Sequence, residues 1–360
     1  MAPWERDMPI PVIRLRNAKT FGARWIVYCL VAALLAWSAL ALAETGRDWV
    51  PATLNAPWFP RAGHATVQYG GSIWVIGGEG RLMRQPEVWK SSNGTIWTLT
   101  APDPLWDSRI GHMSVVFNGR MWLIGGDVSA TPGAAPRNDV WYSTNGTTWT
   151  RATAHAPWAP RMGHGSVVFN NKMWVFGGGT WSTAFYNDVW WSTNGTSWTC
   201  ATPKAGFSPG KGRPCVVHNG RMWILGTGPD NYDKEVWCSS DGRNWTRVVA
   251  NAPWRGQGGI EAIACAGKIW VMGGNQGSND YFWTGNDVWC SADGVNWREV
   301  TRHAAWSGRG GFSLVVHNRR LWLLGGGVIL NGPYDPPTYL NDVWYTDLPT
   351  DAEPAWKQYP

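Results

Sequence analysis

A chain of 360 residues with 30 Trp, 44 Gly and 24 Pro, but only 16% charged residues, is too rich in aromatics and turn formers for a helical bundle. Such a composition favours short strands joined by tight turns. The formal charge of +6 falls once residues 1–43 are set apart, leaving 26 basic against 23 acidic residues, which argues against a nucleic-acid partner.

Those first residues read as a targeting segment. Arg14, Arg16, Lys19 and Arg24 precede the apolar run Trp25–Ala43, which ends in Ala41-Leu42-Ala43. A basic flank, an apolar stretch and a small-x-small ending describe a secretory signal peptide. Cleavage after Ala43 is expected, although a 19-residue run would serve as an anchor if it stayed attached. A single domain over 44–360 is then exported to the periplasm or beyond, with membrane contact only through an uncleaved leader. Five cysteines remain, Cys200, Cys215, Cys238, Cys265 and Cys290. An odd number fits buried thiols rather than a disulfide framework. Cys238 and Cys290 hold equivalent places in adjacent repeats, too far apart to bridge.

From residue 49 onward the chain repeats itself. GSIWVIGG (71–78), GRMWLIGG (119–126), NKMWVFGG (171–178), GRMWILGT (220–227), GKIWVMGG (267–274) and RRLWLLGG (319–326) are six versions of one strand. The first five are followed by a dodecapeptide of the type NDVWYSTNGTTW (138–149), whose two Trp stand eight residues apart. Asn-Gly or Asp-Gly between apolar runs predicts a hairpin, because the turn needs φ > 0. Every unit parses as four strands, the fourth carrying the last Trp. One such sheet cannot bury both its faces, whereas six fanned about an axis can. Trp49 stands nine residues before Trp58, the spacing that every fourth-strand Trp keeps to the next unit. An N-terminal strand therefore closes the sixth sheet, in preference to Trp356.

R-x-G-H, an apolar strand ending in Gly-Gly, then Asn-Asp-Val-Trp and a later Trp resemble the kelch repeat over about residues 49–347. The resemblance implies an all-β, six-bladed kelch-type β-propeller with four antiparallel strands per blade and N-terminal strand closure. STNGTTW and SADGVNW also resemble the Asp-box of sialidases. Their place on the tight-turn face makes their Ser and Asn/Asp turn-fixing groups and their Trp inter-blade packing.

Function is expected on the opposite face, where the loops between second and third strands vary most. Arg61, Arg109, Arg161 and Arg309 open the first strand in four blades, while Gly210 and Gln257 stand in their place in blades four and five. Relatives that capture acidic peptides bind carboxylates with arginines near this position. The four guanidiniums could ring an anionic ligand or hold the connection between blades. Asp127, Trp181, Tyr281, Trp283 and Tyr334 on the loops suit a sugar platform. His64, His112 and His164 occupy one position in three blades, too far apart for a zinc site. Neither a metal nor a cofactor is expected.

Glu261 stands where the other blades carry Ala65, Met113, Gly165, Pro214 and Ser313. A carboxylate among apolar blade interiors could act as an acid or base. The expected activity is that of an exported binding module for a saccharide or an acidic peptide or protein ligand. The alternative is a sugar mutarotase of the sialic-acid epimerase type, found among bacterial six-bladed kelch proteins, with Glu261 and Arg309 as catalytic pair. A copper oxidase like galactose oxidase shares the repeat but lacks its tyrosine and histidine set here. A purely structural role is the fourth possibility.

Overall fold

The computed structural model describes residues 44–349 apart from 82–84, 129–134, 182–183, 227–233, 256–257, 279–280 and 329–337. By its contacts the chain divides after Glu44, and the description concerns the unit that begins at Thr45. The leader, Gln257, Tyr334 and Trp356 lie outside the described residues.

Six four-stranded antiparallel sheets build this unit. Blade one comprises Ala65–Tyr69, Ser72–Ile76, Val88–Ser91 and Thr98–Ala101, and blade two Met113–Phe117, Arg120–Asp127, Pro136–Ser143 and Thr150–Thr153. Blade three follows with Gly165–Phe169, Lys172–Gly179, Phe185–Ser192 and Thr199–Thr202. Blade four is Cys215–His218, Arg221–Leu225, Val236–Ser239 and Thr246–Val249. In blade five, Glu261–Cys265, Lys268–Met272, Val288–Ser291 and Arg298–Thr301 form the sheet. Blade six takes Ser313–His317, Arg320–Val328 and Thr338–Asp347, and Val50–Thr53 completes it. Each first strand touches the first strands of both neighbours, so the sheets form a closed ring. Among the described residues there is no α-helix.

The repeated hairpin is fixed by its own side chains. Ser91 Oγ accepts the Gly94 N–H at 2.8 Å, while Asn93 Oδ1 accepts from Thr95 and Ile96 at 3.0 and 2.9 Å. Asn145, Asn194, Asp241 and Asp293 repeat the pattern. The last Trp of the motif precedes the fourth strand by one residue instead of lying in it. Its indole N–H turns back to the turn glycine, as Trp97 does to the Gly94 carbonyl at 3.2 Å. That glycine presses on the second-strand Trp of the preceding blade, where a Cβ on Gly94 would sit 2.1 Å from Trp322.

Closure rebuilds this hairpin from two distant pieces. Val50 pairs with Tyr345 and Thr53 with Val343. The Gly46 N–H donates to Thr346 Oγ1 at 3.1 Å, standing in for the Ser–Gly bond of the other turns. Trp49 Nε1 donates to the Gly46 carbonyl at 2.9 Å, and its ring meets Trp306 edge-on at 6.0 Å. Gly46 has φ +82° and a Cβ there would stand 2.6 Å from Trp270, so only glycine fits.

Two features departed from the sequence pattern. In blades two, three and six the second strand does not stop at Gly-Gly but runs through it with a bulge. The second glycine lies too close to the residue leading into the first strand of its own blade for any side chain; a Gly126 Cβ would come within 2.6 Å of His112. Between the second and third strands of blade five, Asn275–Ser278 and Tyr281–Thr284 form an additional two-stranded ribbon.

Candidate functional site on the loop face

The four arginines are held inside their own blades and present no charge to a ligand, each with 0% exposure. Arg109 donates to both oxygens of Asp139 at 2.7 and 3.1 Å and to the Gly125 carbonyl at 2.9 Å. Arg161 grips Asp188 at 2.6 Å, Arg309 grips Asp342 at 2.6 Å and Arg61 grips Glu87 at 2.8 Å. The same carboxylates take the indole N–H two residues on, as Trp141 gives to Asp139 at 2.8 Å. This explains the Asp of Asn-Asp-Val-Trp. The Asn ties the next connection, Asn138 donating to the carbonyls of Ala156 and Trp158 at 2.8 and 3.0 Å. Anionic-ligand capture by these arginines is therefore set aside, because each guanidinium is wholly buried and already paired with a carboxylate of its own blade.

The histidines are packing groups as well. His64, His112 and His164 are buried, and burial, followed by the charge of the preceding arginine, brings each down to about 3, so they stay neutral. Each ring fills the space over a glycine of the preceding blade, His112 over Gly77 and His164 over Gly125. All five described cysteines are unbridged. Among the described residues no three His, Cys, Asp or Glu side chains cluster as metal ligands.

The glycine of R-x-G-H has a different task. Gly111 donates to Gly63 O at 3.0 Å, Gly163 to Gly111 O at 2.8 Å, Gly212 to Gly163 O at 2.7 Å, and Gly63 to Gly311 O at 2.8 Å. This belt runs from blade to blade around the loop-face end of the central channel. Below it the six first strands enclose a cavity of about 400 Å³.

Beside the belt, three blades converge on one aromatic. Trp181, on the loop of blade three, is 51% exposed although it is a large apolar side chain. Its Nε1 donates to Oδ2 of the fully buried Asp127 of blade two at 2.8 Å. Lys211, leading into blade four, donates to the Trp181 carbonyl at 3.1 Å and lies 5.0 Å from the centre of its ring. Burial lowers the Lys211 pKa, with Asp127 opposing. Of the proposed platform, the structure thus brings Asp127 and Trp181 together. Tyr281 and Trp283 fall on the second strand of the blade-five ribbon.

A family model for the KLHDC2/KLHL20/DRC7 Kelch-repeats domain matches residues 111–326. The chain belongs to the kelch-repeat family. No curated protein matches this kelch propeller in sequence. Among solved structures, one titled "Structure of YjhT" superposes with a TM-score of 0.67 at 15% identity, covering 84% of this chain and 100% of that one. At that identity the likeness speaks for the fold.

Glu261 and Arg309, the proposed catalytic pair, are not joined in this kelch propeller. Both oxygens of Asp342 occupy Arg309. Glu261 opens the first strand of blade five at the loop-face end of the channel, partly exposed yet ringed by protein. Burial pushes its carboxyl up to about 8. Sequence reasoning missed Lys211, which stands where the other blades carry Ala62, Ile110, Met162, Gly258 and Gly310. The comparison that singled out Glu261 would have found it. It also missed Glu79, whose carboxylate accepts from Tyr339 Oη at 3.1 Å across the junction of blades one and six.

Proposed function

We propose that this kelch propeller is an exported saccharide-binding module whose ligand lies over blades two to four, stacked on Trp181. The observation that carries this reading is the half-exposed indole, anchored at its N–H by buried Asp127 and flanked by Lys211. A rigid aromatic with a few polar groups at its edge is what sugar rings require, an apolar face plus oriented hydrogen bonds. Export rests on the basic, apolar and small-residue order of residues 1–43. The acidic-peptide reading is disfavoured by the internal pairing of the four arginines. A sugar epimerase built on Glu261 and Arg309 keeps only the first of its two groups. Screening the purified chain on a glycan array and titrating the hits by calorimetry tests the module. Trp181→Ala is expected to weaken binding at least tenfold, about 1.4 kcal/mol. Saccharide binding that survives this change intact removes the site from Trp181.

A further inference from the structure

Positive charge gathers on the tight-turn face, opposite the Trp181 platform. The second strands begin there with Arg120, Lys172, Arg221, Lys268 and Arg320 in blades two to six. Blade one begins its second strand with Ser72, and Lys90 on the facing strand supplies the cation instead, 5.5 Å from the ring centre of Trp74. All six are at least partly exposed. Arg120 and Lys172 lie over the rings of Tyr142 and Trp191 at 4.3 and 4.1 Å, which steadies the side chains and leaves their charge in place. Arg320 is paired with Asp347 at 2.8 Å. The acids of the neighbouring hairpins, Asp241 and Asp293, accept from backbone N–H groups of their own turns.

Apolar side chains join these cations in one sector of the face. Ile96 of blade one is 73% exposed, and Val295 of blade five and Val50 of blade six are each 44% exposed. The other hairpins place polar Thr148, Ser197, Asn244 and Asn296 where blade one has Ile96. Blades five, six and one are consecutive around the ring. In the middle of that sector, Thr45 Oγ1 donates to the Asp347 carbonyl at 2.7 Å, two residues after the apolar run Trp25–Ala43 ends. A bilayer that receives that run therefore meets this part of the disc first. Exposed aliphatic tips among cations are what an interfacial lipid contact requires, since the tips enter the acyl boundary while the charges stay with the phosphates. A soluble polyanion would engage the charges and leave the tips idle.

We propose that the tight-turn face, centred on blade six, is a docking surface for an anionic phospholipid bilayer, which turns the Trp181 platform outward. Co-sedimentation of the full chain with vesicles of phosphatidylglycerol and phosphatidylcholine, beside vesicles of phosphatidylcholine alone, tests this. All variants carry the same leader, so its own affinity for lipid cancels between them. The anionic vesicles are expected to hold the chain at least tenfold more tightly. Arg120→Glu with Lys172→Glu and Lys268→Glu should remove that preference. Arg81→Glu with Arg137→Glu and Arg255→Glu, the same change of charge on exposed loop-face positions, should preserve it. Ile96→Asp with Val295→Asp alters only exposed turn tips, and should weaken retention at least tenfold while the melting midpoint holds. Trp181→Ala should leave retention unchanged, which separates a failure of the saccharide site from a failure of this surface. Equal retention on the two vesicles, or a preference that survives the tight-turn reversal or is lost equally on the loop face, would overturn the proposal. So would indifference to the Ile96 and Val295 changes, the mark of a polyanion site.

Discussion

Blades two and four follow one template and differ in how they are latched. In blade two, Arg109 is locked between Asp139 and the Gly125 carbonyl. In blade four the equivalent residue is Gly210, and Glu235 is paired instead with Arg247 of the fourth strand, 52% exposed, at 2.6 Å. A buried charge-assisted clasp has become a surface ion pair, worth about 0–1 kcal/mol. The blade stands without the clasp because the Trp237 N–H still reaches Glu235 at 2.8 Å and the belt still engages Gly212. Where the template relaxes, the unusual side chains gather: Lys211, Arg213 and Cys215 lead into and open blade four, and Glu261 opens blade five.

The sharpest way to break the contrast is Arg109→Ala, which strips blade two of its latch and leaves only Arg151, at the place of Arg247 and 5.5 Å from the Trp141 ring centre, near the shorter Asp139. Leaving Asp139 unpaired is expected to cost about 3–5 kcal/mol in urea unfolding. The Arg109 contact lowers the Asp139 pKa below its usual value, against desolvation. Its contribution is therefore present above the unfolded carboxyl's pKa and lost as pH falls through the folded one, so the variant should show a flatter acid limb. Comparable in size is Trp49→Ala, expected to cost about 3–5 kcal/mol by emptying the Trp306 contact at the seam; a cooperative melt of unchanged midpoint would refute N-terminal closure.

Glu261→Gln should act with the opposite sign. The folded protein holds that proton up to about pH 8, while the unfolded chain releases it near 4.5. Stability from this group thus declines as pH climbs between those values. Thermal melts of the Gln variant should gain on the parent across that window and match it in acid. The smallest effect is expected from Asn145→Asp in blade two, which copies the blade-four turn. Backbone N–H groups of Asn244 and Arg243 help bring Asp241 down to about 2 against desolvation. A gain of roughly 0.5 kcal/mol at neutral pH, lost in acid, should appear in denaturant midpoints.

The architecture was legible because the repeat states each rule several times. Spacing from Trp49 to Trp58 was enough to place the closing strand, since indole pairs recur at fixed offsets. The arginines could not be settled that way. Whether a guanidinium faces a ligand or Asp139 depends on the depth of the third strand, and sequence spacing carries no depth. Asp127 and Trp181 come from different blades, 54 residues apart, so their bond arises only once the sheets are fanned. The blade-five ribbon escaped notice because its strands are only four residues each.

The rebuilt hairpin at Gly46 also governs when this molecule can be finished. Of the propeller, residues 45–53 leave the ribosome first, yet their partners, up to Asp347, come almost last. Throughout synthesis that short segment must stay unmatched while five other sheets assemble. The final act of folding is thus a docking of the two ends of the chain, and until it happens the outer edge of blade six's third strand stands open to any stray extended peptide.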